Sequence, residues 1–210
     1  MTPAKRTADL LLAITMALLL SPLIIGIALA ILITDGRPVL FGHTRSKTPD
    51  EEFTLWKFRT MHPARNHQDH GVSGGHKRRR ITRTGALLRK TRLDELPQLW
   101  NVIHGDISFV GPRPPDPRYV RMFPELYAEV LKSRPGITGL ATVVYHKTED
   151  RLLAECKTPQ QTEAVYTRRC VPRKAKLDLI YAENRTLVYD AVLLFHTVFR
   201  VLPLHLKKWR

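Results

Sequence analysis

Leu10–Thr34, LLLAITMALLLSPLIIGIALAILIT, contains no charged residue and decides how the chain is organised. As a helix at about 1.5 Å per residue it would reach roughly 37 Å, more than the roughly 30 Å hydrocarbon core of a bilayer. The run therefore predicts a membrane helix. A secretory signal peptide is the alternative, with Lys5 and Arg6 as its basic start and Ala28–Ala30 as its cleavage site, but the apolar run continues past that site to Ile33.

A proline near the middle of this run predicts a bend. Pro22 removes a backbone hydrogen bond and clashes with the preceding turn, and the hydroxyl of Ser21 can partly satisfy a freed carbonyl. Lys5 and Arg6 precede the run and Arg37 follows it, so the positive-inside rule draws both ends to the cytoplasm. Two arrangements stay open on these residues alone: a re-entrant hairpin broken at Ser21–Pro22, and a single span that tolerates its proline.

The charge balance indicates the kind of partner. The 210-residue chain has 34 Lys plus Arg against 19 Asp plus Glu, a net charge of +15, which favours lipid headgroups, phosphorylated substrates or nucleic acid. Hydrophobic residues make up 43% of the chain, enough for a packed core. Cys156 and Cys170 are too few for a disulfide scaffold or a cysteine-rich zinc site. We predict a membrane segment at residues 1–36 and one further domain at residues 37–210.

The second part of the chain is predicted to be a mostly helical α+β domain. Pro38–Phe41 and Glu52–Phe58 predict the two strands of a short hairpin, joined by a polar turn through Lys47–Asp50. The segment 62–76 is rich in His, Gly and Asn and predicts a solvated loop without a metal site.

Three later segments have helical spacing. A helix from Thr84 onward would have one basic and one apolar face, and Thr91–Val102 predicts a second helix with an apolar stripe. Lys174–Arg210 fits either an amphipathic helix on the bilayer or a core helix. The basic stretch that begins at Lys77 suits a membrane surface better than nucleic acid, because no aromatic platform, helix-turn-helix or zinc finger accompanies it.

Asp94 and Glu95 are the first candidates for chemistry. Thr91 and Asp94 have capping-box spacing, so the simplest interpretation is that they begin a helix. Adjacent residues on a helix point roughly 100° apart, which directs the two carboxylates at different neighbours. One carboxylate could then attack while the other holds a metal.

Two arginines lie beside rigid turn residues. Arg113 is flanked by Pro112 and Pro114, and Arg134 precedes Pro135–Gly136. Each could be an exposed arginine in a turn, but prolines that preorganise a guanidinium also suit bidentate binding of phosphate oxygens. Beside a basic helix, the two loops predict a phosphate site.

In their order along the chain, these motifs resemble the bacterial sugar transferase family, the monotopic polyprenyl-phosphate phosphoglycosyl transferases. The resemblance covers nearly the whole chain. Its segments are Ser21–Pro22, Val39–Phe41, Phe53–Met61, Leu88–Val102, Gly105–Ser108, Val110–Pro114 and Arg134–Gly139.

The resemblance implies a fold and a location. A re-entrant helix hairpin would hold a small cytoplasmic catalytic domain, with a short β-hairpin and amphipathic interfacial helices, on the bacterial inner membrane. Larger members carry an extra N-terminal membrane domain, so this chain would be a minimal catalytic form. The lipid bilayer and downstream glycosyltransferases would be its partners, a homodimer is compatible with the family, and nucleic acid is not expected.

The resemblance also implies a reaction. The enzyme would transfer a sugar 1-phosphate from a nucleotide diphosphate sugar, usually a UDP-sugar, to undecaprenyl phosphate and release UMP. This is the first membrane step of exopolysaccharide, O-antigen or glycoprotein glycan assembly. Asp94 would be the nucleophile that forms a covalent phosphosugar intermediate, and Glu95 would bind the required Mg²⁺ or position the substrate. The residues that would hold phosphate groups are Arg89 and Arg113, with Lys57, Arg59 and Arg134 as weaker candidates.

Two segments depart from the family pattern. Many members read Phe-x-Gln-x-Arg-x-Gly where this chain has Phe41–Lys47, FGHTRSK, and after Thr138–Gly139 this chain continues LATVVY. The sequence therefore does not assign the sugar, the nucleotide or the pathway. Two other functions stay open: a noncatalytic scaffold of a polysaccharide assembly complex, and a membrane-tethered module that binds anionic lipid or nucleic acid.

Overall fold

A computed structural model describes residues 1–62 and 80–199. Apart from His62, the predicted loop 62–76 lies outside the described residues, as do the start of the basic stretch at Lys77 and the tail after residue 199. The helices are α1 Pro3–Leu19, α2 Ser21–Thr34, α3 Arg83–Thr91, α4 Gln98–His104, α5 Pro117–Met122, α6 Pro124–Val130, α7 Leu140–Ala154, α8 Pro159–Val165, α9 Val171–Asn184 and α10 Leu187–Phe199. The strands are β1 Leu40–Ser46, β2 Glu52–Phe58, β3 Ser108–Val110 and β4 Gly136–Thr138. The predicted mostly helical α+β class is confirmed.

The apolar run folds as two helices with a bend between them. α1 and α2 meet at Leu20 at an angle of 60°. Pro22 lies in the first turn of α2, where its missing N–H costs nothing, and the Ser21 hydroxyl donates to Leu18 O at 2.8 Å. The predicted bend is confirmed. Among the described residues no single helix is long and apolar enough to cross a bilayer, whereas the bent pair together meets that length and composition.

The first turns of α1 are fastened to the rest of the molecule. Arg6 donates to the carbonyls of Val102 (2.6 Å) and Ile103 (2.8 Å) at the end of α4. Asp9 is 6% exposed and accepts a hydrogen bond from Ser108 Oγ at 2.7 Å. These contacts give the Ile103 carbonyl a donor, add a second donor to Val102 O beside the Gly105 N–H, and give a buried carboxylate its donor. One end of the apolar run is therefore held against the domain.

The hairpin has the predicted second strand, but its first strand is shifted along the chain. β1 and β2 pair antiparallel from Leu40 with Phe58 to Ser46 with Glu52. The predicted strand Pro38–Phe41 begins too early and ends too early, because it was placed by apolar side chains alone. Backbone pairing with β2 extends the strand through the polar residues 43–46.

The predicted helix Thr91–Val102 is confirmed from Gln98 onward, within α4, and is wrong before it. Thr91 ends α3 and its hydroxyl donates to Leu87 O at 2.9 Å, Arg92 has φ 61°, and Leu93–Glu95 form one 3₁₀ turn before Pro97 and α4. A left-handed residue breaks a helix, and a proline cannot donate to the preceding turn. The capping box predicted at Thr91 and Asp94 is therefore wrong as well.

The C-terminal apolar residues lie on two helices instead of one. α9 ends at Asn184, and Thr186 begins a new helix by accepting the Tyr189 N–H at 3.0 Å on its hydroxyl. Both helices contribute to the core: Tyr181 of α9 and Leu193 of α10 are fully or almost fully buried with Val102 of α4. The described residues of the segment Lys174–Arg210 thus fit the core-helix alternative, although Val188 and Phe195 of α10 are exposed.

A small parallel sheet joins the two arginine loops. Ser108 of β3 pairs with Gly136 of β4, and Val110 pairs with Thr138. Gly111, the residue after β3, lies very close to the backbone of Arg134. A Cβ on it would be 2.2 Å from Arg134 O, and only glycine avoids this clash. This sheet fixes where the chain leaves β3 and so positions the loop that carries Arg113.

Candidate active site

Two adjacent carboxylates lie in the 3₁₀ turn between α3 and α4. Arg92, in its left-handed conformation, ends α3 and starts this turn. Asp94 is 8% exposed, and the side chain of Glu95 is 11% exposed. The break between the two helices therefore places both carboxylates inside the protein instead of along a helix surface.

Glu95 is surrounded by cations. Its Oε1 lies 2.6 Å from Lys57 Nζ and 3.4 Å from Arg113 Nη2, and its Oε2 lies 3.6 Å from Arg92 Nη1. Burial opposes ionisation, but the charges of Arg113 and Lys57 outweigh it and lower the pKa of Glu95 to about 2. Glu95 is therefore ionised at neutral pH and holds two cations in place.

Asp94 has the opposite setting. It accepts no side-chain hydrogen bond from the residues that the structure describes. Burial and the neighbouring charge of Glu95 raise the pKa of Asp94, against the attraction of Lys57 and Arg89. Two carboxylates whose environments push their pKa values apart can do different work. The geometry leaves Asp94 as the carboxylate that is free to react.

Lys57 and Arg89 flank the pair from two elements. Lys57 projects from β2, and burial with the nearby Arg113 lowers its pKa although Glu95 opposes this. Arg89, on α3, donates from Nε to Thr60 Oγ1 at 2.8 Å, and its charge acts on Asp94. Lys57, Arg89 and Arg113 therefore form a positive border around the carboxylates, and their role in holding phosphate stays a prediction.

Asn101 locks these elements together and was missed by the sequence interpretation. Its Oδ1 accepts the Trp56 N–H at 3.1 Å, and its Nδ2 donates to Thr54 O at 2.8 Å and to Asp106 Oδ2 at 2.8 Å. It is 1% exposed. The amide holds α4 against β2, beside Lys57. The sequence signal that could have identified Asn101 is a polar residue within the apolar stripe of a helix.

The structure does not bring Arg59 and Arg134 to the carboxylates. Arg59 donates from its guanidinium to the carbonyls of Asp35, Gly36 and Arg37, so it clamps the connection between α2 and β1. Arg134 lies at the end of α4, where a Cβ on Gly105 would be 3.5 Å from its Nη1. The contacts of Arg59 explain it as a residue of the scaffold.

A further arginine lies beside Arg113. Ser46 N–H donates to Pro115 O at 3.0 Å, which brings Arg45 of β1 to the loop that carries Arg113. Burial, and then the charge of Arg113, lower the pKa of Arg45 to about 10. Sequence interpretation missed this residue, although Arg45 keeps the arginine of the Phe-x-Gln-x-Arg-x-Gly pattern from which its neighbours depart.

The described residues contain no group of three or more His, Cys, Asp or Glu side chains that could hold a metal ion. Glu95 Oε1 is taken by Lys57 and Arg113, but Oε2 has only Arg92, beyond hydrogen-bonding distance. Mg²⁺ is commonly held by one or two carboxylates together with substrate phosphates and water. The donor set fits a cation that arrives with a diphosphate rather than an all-protein cage.

The sequence model described as "Bacterial sugar transferase" matches residues 1–203. The chain is 33% identical over 204 residues to the Aeromonas hydrophila UDP-N-acetylgalactosamine-undecaprenyl-phosphate N-acetylgalactosaminephosphotransferase, covering 94% of this chain and 43% of the relative. It is 32% identical over 200 residues to the UDP-glucose:undecaprenyl-phosphate glucose-1-phosphate transferase of Escherichia coli K12, covering 93% and 39%. The exopolysaccharide production protein ExoY of Rhizobium meliloti is 32% identical over 209 residues, with coverage of 93% and 84%. The chain thus spans about two fifths of the first two relatives and most of the third.

Proposed function

Because the chain belongs to the bacterial sugar transferase family, we propose that it is a phosphoglycosyl transferase. It moves a sugar 1-phosphate from a nucleotide diphosphate sugar to undecaprenyl phosphate and releases a nucleoside monophosphate. The names of two relatives support a UDP-sugar donor and this lipid acceptor, and the name of a third supports a place in exopolysaccharide production. The observation that carries the proposal is the unequal pair, a free Asp94 beside a Glu95 held by cations.

The chemistry proceeds by two displacements. A carboxylate oxygen of Asp94 attacks the β-phosphorus of the donor. The bond from that phosphorus to the bridging oxygen breaks, and the oxygen leaves with its electron pair on the nucleoside monophosphate. A phosphate oxygen of undecaprenyl phosphate then attacks the same phosphorus and frees Asp94. Lys57, Arg89 and Arg113 neutralise the phosphate oxygens, without which an anionic nucleophile could not approach.

A magnesium ion belongs to the proposal as a companion of the donor. Glu95 Oε2 is the protein oxygen best placed to hold it together with diphosphate oxygens. When bound, the ion supplies positive charge that offsets the charge of the diphosphate. Glu95 also keeps Lys57 and Arg113 oriented towards the substrate.

We propose further that α1 and α2 form a re-entrant hairpin on the cytoplasmic face of the bacterial inner membrane. The 60° bend, the basic residues at both ends of the run and the apolar exposure of Leu18 and Ile33 support it. Single cysteines placed at Thr2 and Asp35 are expected to react with an impermeant maleimide only after cells are opened. Reaction of one of them in intact cells would establish a single span instead. Pro22→Ala tests whether the proline sets the topology, and unchanged labelling in that variant would show that it does not.

The function is tested by following UMP release from a panel of UDP-sugars, with detergent-purified protein, undecaprenyl phosphate and Mg²⁺. Release is expected to need the lipid acceptor for turnover and to be lost in Asp94→Asn, at least about 1,000-fold in kcat, because the amide cannot form the acyl phosphate. Asp50→Asn is a matched control, since Asp50 lies exposed in the turn between β1 and β2. Substantial activity of Asp94→Asn would overturn the nucleophile, and silence of folded wild-type protein across the panel would favour a scaffold.

A further inference from the structure

Arg45 is a half-buried cation that pairs with no acid among the residues that the structure describes. Its Nε is buried without a hydrogen-bond partner, and its guanidinium forms no ion pair with the residues that the structure describes. Buried arginines are almost always paired, because an uncompensated charge in the interior costs free energy. An unpaired one beside a candidate active site needs an explanation.

The acidic and phenolic groups around Arg45 are already engaged elsewhere. Asp116 accepts from Arg118 Nε at 3.1 Å on Oδ1 and from Arg118 Nη2 at 3.3 Å on Oδ2. Tyr119 donates its hydroxyl to Glu163 at 2.9 Å. The loop and helix next to Arg45 therefore supply charges that attract it weakly and no acceptor that bonds it.

The cation next to Arg45 is Arg113, and among the described residues the acid that contacts Arg113 is Glu95. Glu149, which also attracts Arg113, is bonded to Lys174 at 3.1 Å. Arg45 and Arg113 thus adjoin with like charge. Such a juxtaposition is destabilising in an empty protein and becomes favourable when an anion lies between the two guanidinium groups.

The hairpin register relates Arg45 to the carboxylate pair. Arg45 is opposite Phe53 and Lys57 is opposite Phe41, so alternation along the strands puts Arg45 and Lys57 on the same face of the hairpin. Phe53, the partner of Arg45, and Lys57 are four positions apart on β2, which is about 13 Å along the strand. Lys57 and Arg113 both contact Glu95, and Arg113 also neighbours Arg45. The cations therefore run in the order Lys57, Arg113 and Arg45, away from the reacting carboxylate.

We propose that Arg45 and Arg113 form a second phosphate subsite, which binds the α-phosphate of the donor and stabilises the nucleoside monophosphate as it leaves. This rests on the proposed function, in which the β-phosphorus lies at Asp94. When Asp94 attacks, the bond between the β-phosphorus and the bridging oxygen breaks. The electron pair goes to that oxygen, on the α-phosphate. Charge grows at this oxygen in the transition state, where a guanidinium is most effective.

The test compares Arg45→Met with Arg121→Met. Arg121 is an arginine of the neighbouring α5 that is 68% exposed in its side chain and pairs with Glu52 at the surface, so its loss should change little. Binding of UMP, CMP, GMP and AMP to the full chain in detergent is measured by calorimetry. Arg45→Met is expected to weaken binding of the preferred nucleotide about 10- to 100-fold, the usual effect of losing a hydrogen bond to a charged group. Arg45→Lys is expected to lose less, and Arg121→Met to stay within about twofold.

Thermal unfolding separates a binding role from a structural one. Removal of an unpaired buried charge is expected to leave the unfolding midpoint of Arg45→Met unchanged or higher, whereas loss of a structural contact would lower it. Nucleotide affinity equal to that of the wild type would overturn the proposal, as would wild-type protein that binds none of the four nucleotides.

Kinetics separate this proposal from the function on which it rests. In Arg45→Met the inhibition constant of UMP is expected to rise while the KM for undecaprenyl phosphate stays near the wild-type value. A change confined to the KM for the lipid would assign Arg45 to the acceptor phosphate and overturn the subsite while the transferase stands. The protein could instead bind nucleotide in a way that depends on Arg45 and yet release UMP from no donor. That result would contradict the proposed transferase function and leave Arg45 as part of an anion site.

Discussion

Two groups of charged side chains in the described part of the chain differ in how far the chain itself completes their pairing. In the first group, which we call the anchor cluster, Lys5 pairs with Asp190, Tyr181 donates to Asp190 at 2.7 Å, and Asp9 accepts from Ser108. Lys5 and Asp190 neutralise each other, and Asp9 has a hydrogen-bond donor in Ser108. In the anchor cluster, the chain itself therefore supplies the hydrogen-bond or ion-pair partners of these charged side chains.

The second group, at the hairpin and the 3₁₀ turn, is incomplete. Glu95 is held by Lys57 and Arg113, but Asp94 lacks a hydrogen-bond donor and Arg45 lacks an acceptor among the described residues. The unmatched groups are a carboxylate, which we propose as the nucleophile, and a cation, which a phosphosugar donor would engage. The comparison teaches that incomplete pairing of both signs within one cluster marks the candidate site, since single unpartnered atoms such as Asp178 Oδ1 and Arg59 Nε also occur outside it.

The largest expected effect on folding lies in the anchor cluster. Asp190→Asn should leave Lys5 buried without its partner and lower the free energy of unfolding by about 3 kcal/mol, the usual cost of breaking a buried pair. Chemical denaturation in detergent measures it. The double variant Lys5→Met/Asp190→Leu should recover most of the loss, because it removes both charges. Equal losses in the single and double variants would show that the charges are not what matters.

The next expected effect is on catalytic activity instead of on stability. Glu95→Gln should lower kcat about 100-fold, since Lys57 and Arg113 lose the carboxylate that orients them towards phosphate. UMP release at saturating donor measures it, with Glu51→Gln, which alters an exposed pair with Lys47, as the control. A loss in Glu95→Gln that is matched by the control would contradict the assignment.

A smaller effect concerns pH. Asp94 must be ionised to attack, so kcat should fall as pH falls through its raised pKa, whereas Glu95, with a pKa of about 2, stays ionised over that range. Glu95→Gln removes a neighbouring negative charge and frees two cations, and both changes favour ionised Asp94. The acid limb of the residual activity should therefore move to lower pH. A limb that stays in place, or moves to higher pH, would show that Asp94 does not produce it.

Sequence interpretation was strong where the cause is local. The bend at Ser21–Pro22 follows from proline itself, β2 follows from alternation, and Asp94, Glu95 and Arg113 lie together as expected from their motifs. The family assignment is confirmed over residues 1–203. Roles for these residues stay predictions.

The features that the sequence did not predict depend on contacts between distant segments. Arg92 can adopt a left-handed conformation only because the surrounding structure holds it, so a periodic pattern continued the helix through it. The contacts of Asn101 with β2 span 45 and 47 residues, and those of Arg59 with three carbonyls span 22 to 24. Arg45 was overlooked because nothing in its own segment shows that the loop at Pro115 lies beside it.

The way α1 is fastened has a practical consequence for making a soluble protein. Truncation at Leu20 would remove apolar surface, but it would also remove Arg6 and Asp9 and leave the carbonyls at the end of α4 and Ser108 without their partners. The shortened chain should aggregate rather than dissolve. A better route keeps α1 and replaces its outward residues, such as Leu11 and Leu18, which are 63% and 71% exposed, with polar ones.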